Sequence, residues 1–418
     1  MSMSAADTVL AGLDDVRPHL EDLYKHLHAH PELSLAEHRT AALVAERLRE
    51  YGYGVIDGIG GTGVVGVLSN GEGPTVLLRA DLDALPVKED TGLPYASTAT
   101  TTDASGRQQP VMHACGHDVH ITCMLGFAQL MAQAKDAWQG TIIPLFQPSE
   151  EISAGAAAMV DDDLAGRIPR PDVAFAQHVL SYPAGYVGVR PGPMFSAADS
   201  LRVTLHGRGG HGSMPHATVD PVVMAAMCVV RLQTIVSREL PATTPAVVTV
   251  GSIQAGASSN VIPDTAEMLV NIRTYDEDTR RHVLDAVRRC VNAEAAASGA
   301  PREPEIERFN VFPPTVNDDD VAGRLANAFR TRFGDDFHTI DVSPASEDFS
   351  LIPDAFGTPF AYWGIGGTDP ALFAKAAEQG TVERDVPVNH SPRFAPVVQP
   401  TLDTGITALT VATLEWLT

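Results

Sequence analysis

The densest cluster of chemically reactive side chains lies between Met112 and His120, in the sequence Met-His-Ala-Cys-Gly-His-Asp-Val-His. Thiolate, imidazole and carboxylate groups bind transition metals, and Cys115 and His117 can present sulfur and nitrogen to a single site. The alternative is a polar helix N-terminus in which Asp118 interacts favourably with the helix dipole. Because a Cys-x-His pair alone is a weak signal, the choice depends on what other potential ligands the chain contains.

Further potential ligands follow three apolar segments that have the composition of buried strands. They are Asp81 and Asp83 after residues 75–80, Glu150 and Glu151 after residues 141–147, and His178 at the end of residues 172–178. In an open α/β sheet, ligand-binding residues lie just beyond the carboxyl ends of the strands. Each group alone could be a polar turn, but three such strand ends around one Cys/His loop indicate a metal site.

Two histidine and carboxylate patterns need separate interpretation. Adjacent carboxylates such as Glu150 and Glu151 repel each other unless a cation or proton compensates, so one can bind metal while the other acts as a base.

The cluster His26, His28 and His30 looks like a metal tract, but in a helix only the first and last share a face. We therefore interpret that cluster as structural.

Composition limits the class of protein. The chain has 418 residues, of which 44% are hydrophobic and 19% charged, as in globular proteins. A net charge of −23 leaves no basic surface for nucleic acid. We find no unbroken run of about 18 apolar residues and no secretory signal, so neither a membrane span nor export is predicted. The expected location is the cytoplasm, where four cysteines do not indicate a disulfide framework.

The order of predicted elements divides the chain. Residues 1–194 and 306–418 have an α/β pattern, whereas residues 195–305 predict strand, Gly-rich loop, helix, two strands and a helix, an α+β unit of ordinary domain size. We therefore expect an α/β domain in two parts with an inserted α+β domain. Helices are predicted near residues 6–29 (broken near Pro18), 36–51, 117–135, 318–332 and 398–416. A strand is predicted near 358–363, followed by a Gly-rich stretch at 363–367.

The motifs along the chain resemble those of peptidase family M20. They are LHAHPELS, RADLDALP, MHACGHD, PSEE, AQHV, GRGGHGSMPH, SSNVIPD, NIRT, SEDF and NHSP, and they occur in the expected order over nearly the whole chain. The chain is most similar to the amidohydrolase branch, which includes hippurate hydrolases, N-acyl-amino-acid amidohydrolases and plant auxin-conjugate hydrolases. The resemblance implies a dinuclear-metal aminopeptidase-like catalytic domain with an inserted dimerisation (lid) domain.

The resemblance also implies roles for individual residues. It implies two divalent metal ions per chain, with ligands Cys115, His117, Glu151, His178 and His390. Glu150 becomes the general base that activates a metal-bound water, and Asp81 and Asp83 become groups that support the ligands. In the inserted domain, His211 resembles a histidine that reaches an active site across a dimer interface, and Asn260 and Arg273 resemble residues that hold the substrate carboxylate. The remaining histidines, including His120, are interpreted as structural or surface residues.

The predicted function is therefore hydrolysis of the amide bond of an N-acyl amino acid. The alternatives are a carboxypeptidase or dipeptidase on the same fold and a non-catalytic binding protein, which should lack a ligand or the base. Mixed Cys/His/Glu ligation suits zinc, manganese, cobalt or nickel. We expect a homodimer that acts on a small molecule, with neither nucleic acid nor a membrane as partner. The sequence does not indicate the acyl group or the amino acid.

Overall fold

The computed structural model describes residues 4–102 and 106–418. Within these residues the chain divides into two compact units. The first unit runs up to Met194 and also contains Asn317–Asp341 and Asp348–Thr418. The second unit contains Phe195–Val316 and Val342–Glu347.

The strands are β1 Gly54–Ile59, β2 Gly63–Asn70, β3 Thr75–Asp81, β4 Thr100–Thr102, β5 Gln108–Pro110, β6 Gly140–Gln147, β7 Val173–Pro183, β8 Val187–Val189, β9 Gly192–Phe195, β10 Ala197–His206, β11 Gly210–His211, β12 Ala246–Ala255, β13 Val261–Ile262, β14 Thr265–Thr274, β15 Glu305–Phe312, β16 Thr315–Asn317, β17 Phe337–Thr339 and β18 Phe360–Thr368. The helices are α1 Ala5–Leu10, α2 Leu13–Ala29, α3 His38–Glu50, α4 His117–Gln133, α5 Gly155–Asp161, α6 Leu164–Arg167, α7 Pro221–Thr234, α8 Glu277–Ala297, α9 Asp319–Phe333, α10 Leu351–Phe356, α11 Pro370–Glu378, α12 Val382–Asp385 and α13 Val398–Leu417.

The first unit is built on a mixed sheet whose described strands have the order β1-β2-β6-β3-β7-β18-β8-β17. In its centre β6, β3, β7 and β18 run parallel to one another. The residues of β3, β6 and β18 and the first half of β7 are almost entirely buried, as expected for parallel strands covered on both faces. Asp81 at the end of β3 pairs with Gln147 at the end of β6, and Arg79 pairs with Ala176 of β7. The polar residues at the ends of β3 and β6 are therefore brought to one place with His178, which lies inside β7, because this strand continues to Pro183.

The second unit contains an antiparallel sheet with the order β12-β14-β10-β15. The helices α7 and α8 contribute Met224, Leu232, Val283 and Val287 to a core with the inward residues of this sheet. Strand β15 pairs with β10, so the second unit continues beyond residue 305, where the sequence pattern had placed the boundary. The alternation of apolar and polar residues in β15 is weak because β15 is an edge strand whose residues are exposed or half-buried.

Two local expectations were wrong. The break in the first helical segment lies at Ala11–Gly12, and Pro18 is inside α2. The strand predicted to end near residue 363 continues through the Gly-rich stretch 363–367 to Thr368. A Cβ atom on Gly366 would lie 1.8 Å from the carbonyl oxygen of Pro183, so glycine allows the neighbouring chain to approach closely.

One helical segment of the described residues, Pro221–Glu239, has the length and mean hydropathy of a membrane-crossing helix. It contains Arg231 and Arg238 and is therefore not an unbroken apolar run. A third of its apolar window is buried inside the protein. The core helix of a globular protein meets the same criterion, so this is weak evidence for a membrane span.

Candidate metal centre

The five predicted metal ligands all lie in the first unit. Cys115 precedes α4, His117 begins it, His178 lies in β7, Glu151 follows β6, and His390 lies in the loop before α13. Between the first two, Gly116 has a φ of 84°, and a Cβ atom there would lie 2.3 Å from Cγ1 of Val179. Glycine is therefore required at the point where the chain turns from Cys115 into the helix.

The structure brings the five ligands into two groups that share one sulfur. The ligand atoms of Cys115, His117 and His178 lie within 4.8 Å of one another, and so do those of Cys115, Glu151 and His390. The Cys115 Sγ lies 3.4 Å from His178 Nε2, and His390 Nε2 lies 3.4 Å from Glu151 Oε2. Two adjacent groups joined by a thiol have the arrangement in which one thiolate could bridge two cations.

Hydrogen bonds determine which histidine nitrogens face this site. The Nδ1 atoms of His117 and His178 each lie 2.8 Å from a backbone carbonyl, that of Asp83 and of Val179 respectively. Each Nδ1 therefore donates a proton, and in the neutral ring Nε2 keeps its lone pair. His117 Nε2 and Glu151 Oε1 are buried and lie 3.8 Å apart, and neither has a hydrogen-bond partner among the described residues. A cation between them would satisfy both atoms, so the residues fit a metal.

The electrostatics of the site favour an added positive charge. Burial raises the pKa of Glu151 to about 7 and the pKa of the Cys115 thiol well above its usual value. Burial also lowers the pKa of His178 and of His390. The four groups therefore resist becoming charged without a counter-ion, and a divalent cation favours the thiolate, carboxylate and neutral imidazole forms that bind it.

Asp83, which the resemblance made a supporting group, contacts two of the predicted ligands. Its Oδ2 accepts hydrogen bonds from the Glu151 N–H at 3.0 Å and from the Ser34 hydroxyl at 2.7 Å. Its own carbonyl accepts the proton of His117 Nδ1. One residue thus fixes the backbone of one ligand and the ring orientation of another.

Asp81 is tied to a histidine that the sequence interpretation did not single out. Its two oxygens lie 2.7 Å from Arg79 Nη1 and 2.6 Å from His120 Nδ1. His120 Nε2 accepts the Val179 N–H at 2.9 Å, so its proton is on Nδ1 and points at Asp81. The signal that could have identified His120 is its position three residues after His117, which puts both on one face of α4.

Glu150 lies beside the two ligand groups, in a tight turn. Ligand atoms of Glu150, Glu151 and His117 lie within 4.8 Å of one another, and Glu150 is only 7% exposed. The turn is a short 3-10 helix, Glu150–Ile152, flanked by left-handed Ser149 and Ser153. A carboxylate held here, outside the two groups that share Cys115, can act as a base towards a molecule bound at the metals.

His211 and Asn260 lie together in the second unit. His211 pairs with Val261 across β11 and β13, and the Gly212 N–H donates to the carbonyl of Asn260. The Ser213 N–H donates to His211 Nδ1 at 3.1 Å, so the neutral ring carries its proton on Nε2. His211 is exposed, and it can therefore offer an N–H donor.

Arg273 lies at the far end of β14 from that pair. Its Nη1 donates to Ser346 at 2.6 Å, and its Nε donates to Asn271 at 3.0 Å. Arg273 lies eight positions after Thr265 in β14, and Thr265 follows the β13 strand. At roughly 3.3 Å per residue, this distance is about 26 Å. Within one chain, Arg273 is therefore far from His211 and Asn260.

The chain matches a known protein family over most of its length. The family described as "Peptidase family M20/M25/M40" matches residues 77–387. Thermostable carboxypeptidase 1 of Saccharolobus solfataricus is 38% identical over 385 residues, 89% of this chain and 93% of that protein. Hippurate hydrolase of Campylobacter jejuni is 35% identical and covers 83% of this chain and 88% of its own length.

A solved structure extends the similarity to the fold. The crystal structure of a dinuclear metal-binding peptidase of the M20 family from Bacillus subtilis has a TM-score of 0.76 and 29% identity, covering 96% of this chain and 99% of its own. The chain belongs to peptidase family M20/M25/M40. The predicted family, the α/β fold class and the assignment as a metal-dependent hydrolase of amide bonds are confirmed.

Proposed function

We propose that this chain hydrolyses the amide bond of N-acyl amino acids with two divalent metal ions, held by Cys115, His117, Glu151, His178 and His390. The observation that carries the proposal is the pair of ligand groups sharing Cys115, with Glu150 beside them. Its relative named hippurate hydrolase supports the substrate class. Zinc, manganese, cobalt and nickel all suit these ligands.

Different groups in the site have different functions in amide hydrolysis. When bound, the metal ions supply Lewis acidity and lower the pKa of water towards about 7. Glu150 accepts a proton from the attacking water and delivers it to the leaving nitrogen. Asp83 and Asp81 keep the ligands and His120 in their orientations through the hydrogen bonds described above. Intact ligand and base positions argue against a non-catalytic binding protein.

His211 is proposed to stabilise the oxyanion of the tetrahedral intermediate. The exposed Nε2–H, set by the bond from Ser213 to Nδ1, is a donor of the type that such a charge requires. Asn260 and Arg273 are proposed to hold the substrate carboxylate, for which a guanidinium is well suited. The tautomer of His211 is set by Ser213, a residue of the same unit.

We propose a homodimer in which His211 and Arg273 of one chain serve different active sites. Arg273 lies about 26 Å along β14 from Thr265, whereas His211 pairs with β13, the strand that precedes Thr265. A face for that partner is the exposed apolar side of α7, where Val222, Val223, Met227 and Val230 are 43–64% exposed. It lies next to β12, the edge strand of the described sheet. Two copies related by a twofold axis can bury such a face against itself.

A carboxypeptidase activity is the second candidate. The 38% identical relative named thermostable carboxypeptidase 1 favours it, and both reactions hydrolyse an amide next to a free carboxylate. We infer a cytoplasmic enzyme that needs neither a membrane nor nucleic acid, in keeping with a net charge of −23.

A substrate panel separates the two candidates. Metal-free protein is loaded with zinc, manganese, cobalt or nickel and assayed on hippurate, N-acetyl amino acids, peptides with a blocked N-terminus and free dipeptides. We expect kcat/KM to be highest for an N-acyl amino acid. Preference for longer blocked peptides would assign the carboxypeptidase activity instead, and hydrolysis of none with any metal would overturn the proposal.

A further inference from the structure

The segment Glu32–Glu37 begins at the end of the LHAHPELS motif, and it contacts residues next to the candidate ligands. The Ala84 N–H donates to the carbonyl of Glu32 at 2.8 Å, and the Ser34 hydroxyl donates to Asp83 at 2.7 Å. The Leu35 N–H donates to the Ser149 hydroxyl oxygen at 2.8 Å. The segment therefore contacts the chain after β3 and the chain after β6, which carry Asp83 and Glu150.

Glu37 makes the most buried of these contacts. Its side chain is fully buried. One carboxylate oxygen accepts the Ser149 N–H at 2.8 Å and the Ser149 hydroxyl at 3.1 Å. The other accepts the Thr62 hydroxyl at 2.8 Å. Three donors converge on this carboxylate, and two of them belong to the residue that directly precedes Glu150.

Ser149 needs such support because of its backbone conformation. Its φ of 52° is left-handed, which residues with a Cβ atom adopt rarely and only where the surroundings hold them. The carbonyl of Ser149 then accepts the Ala154 and Gly155 N–H groups, both at 3.2 Å. A Cβ atom on Gly155 would lie 1.5 Å from the Pro148 carbonyl oxygen, so this loop closes tightly around Glu150 and Glu151.

We propose that Glu37 is a positioning residue, which holds the Ser149 turn and through it the carboxylates of Glu150 and Glu151. The roles of those two glutamates rest on the proposed function, but the contact between Glu37 and the turn does not. Glu37 contacts neither a metal ligand side chain nor the proposed base in the hydrogen bonds described. Its effect on catalysis is therefore indirect.

The test compares Glu37→Ala with a rescue variant and a matched control. Glu37→Gln should recover most of the wild-type behaviour, because its amide oxygen can accept from Ser149 while its amide nitrogen donates to Thr62. Glu32→Ala is the control, because that carboxylate lies in the same segment but accepts hydrogen bonds from Arg39 and Thr40 instead. Glu37→Asp is included because it keeps the charge but is too short to hold the turn, and it replaces Glu37→Ala if that variant does not fold.

Three measurements are made on the full-length protein: kcat and KM on an N-acyl amino acid, metal affinity by titration, and hydrogen exchange of peptides covering residues 148–155. For Glu37→Ala we expect kcat or metal affinity to fall by about 10- to 100-fold, as for other residues that orient metal-binding groups. We expect faster exchange in the turn and little change in KM. Glu32→Ala should lower the melting temperature without changing exchange at 148–155.

The outcomes distinguish failure of the positioning role of Glu37 from failure of the proposed function. Wild-type exchange at 148–155 and wild-type kcat in Glu37→Ala, whatever its melting temperature, would overturn the positioning role. If the wild-type protein hydrolyses no N-acyl amino acid, the proposed function fails. The exchange of the Ser149 turn still decides whether Glu37 holds it, because that measurement needs neither metal nor substrate.

Discussion

Cys115 is the residue on which both ligand groups depend, because its sulfur belongs to each of them. Its thiol is buried, and burial raises its pKa well above the usual value. In the proposed metal site, the Cys115 thiolate would therefore form only together with the cations. The amide of Asn389 donates to the Cys115 carbonyl at 3.1 Å, which fixes the backbone that carries the sulfur.

Replacing the Cys115 sulfur with oxygen tests whether this sulfur is a ligand in both groups. Cys115→Ser should bind metal more weakly at both positions and lose nearly all turnover, because a serine hydroxyl is far harder to deprotonate and is a poor bridge. Metal content by mass spectrometry and the hydrolysis rate check this. Full metal content with full activity in Cys115→Ser would show that the sulfur is not a ligand.

Substitution of the two adjacent glutamates should show that they have different roles. Glu150→Gln should retain metal and lose about 10²- to 10⁴-fold in kcat, the range for a general base. Glu151→Gln should instead lose metal, because Glu151 Oε1 lies 3.8 Å from His117 Nε2 in the candidate site. Metal analysis and kinetics of the two variants check this. The opposite pattern would exchange the two roles and leave the reaction class unchanged.

The helices α2 and α4 are joined by a cluster of buried ionisable side chains. His28 of α2 lies 2.7 Å from Asp118 of α4 and 3.0 Å from Glu89. Burial opposes the charge on His28, but the hydrogen bonds to Asp118 and Glu89 outweigh it and raise its pKa to about 10. The interpretation of His26, His28 and His30 as structural agrees with the position of His28, although its partners were not anticipated.

This cluster predicts a pH-dependent stability. A histidine whose folded pKa is raised from about 6.5 to about 10 stabilises the fold fully below pH ~6.5 and loses that effect as the pH rises towards 10. The difference in melting temperature between wild type and His28→Gln should therefore be largest near pH 6 and shrink towards pH 10. A difference that stays constant between pH 6 and 10 would show that His28 is not charged in the folded protein.

The sequence predicted the parts of the site that follow strands, and missed those that depend on distant contacts. Asp81, Glu150 and His178 could be located because each follows an apolar run with the length of a strand. Glu37 could not, because Ser149, its partner, is 112 residues away and no local pattern connects them. The second unit extends to Val316 for a similar reason, since β15 is defined by its pairing with β10.

In the proposed homodimer, two chains contribute to each active site. The proposal follows from the position of Arg273 at the far end of β14 from Thr265, and the exposed face of α7 offers a surface for the partner. His211→Ala should lower kcat by the equivalent of about 3 kcal/mol, as for other oxyanion donors, with metal content unchanged. Steady-state kinetics with metal analysis of the same sample check this.

Mixed dimers test the exchange of His211 between subunits. Inactive Glu150→Gln and His211→Ala proteins are unfolded together, refolded and assayed, with each variant refolded alone as control. One of the two sites in each heterodimer would combine an intact base with an intact partner histidine, so activity should partly return. Heterodimers that form but stay inactive would place His211 outside the partner's site.

We infer that amide hydrolysis by this chain depends on two metal ions bound around Cys115. In the test, metal-free protein is titrated with one divalent metal while the initial rate of hydrolysis of an N-acyl amino acid is measured. We expect no activity without metal and a rate that rises until about two equivalents per chain are bound, since the ligands form two groups. Full activity in metal-free protein, or a rate that saturates at one bound equivalent, would contradict it.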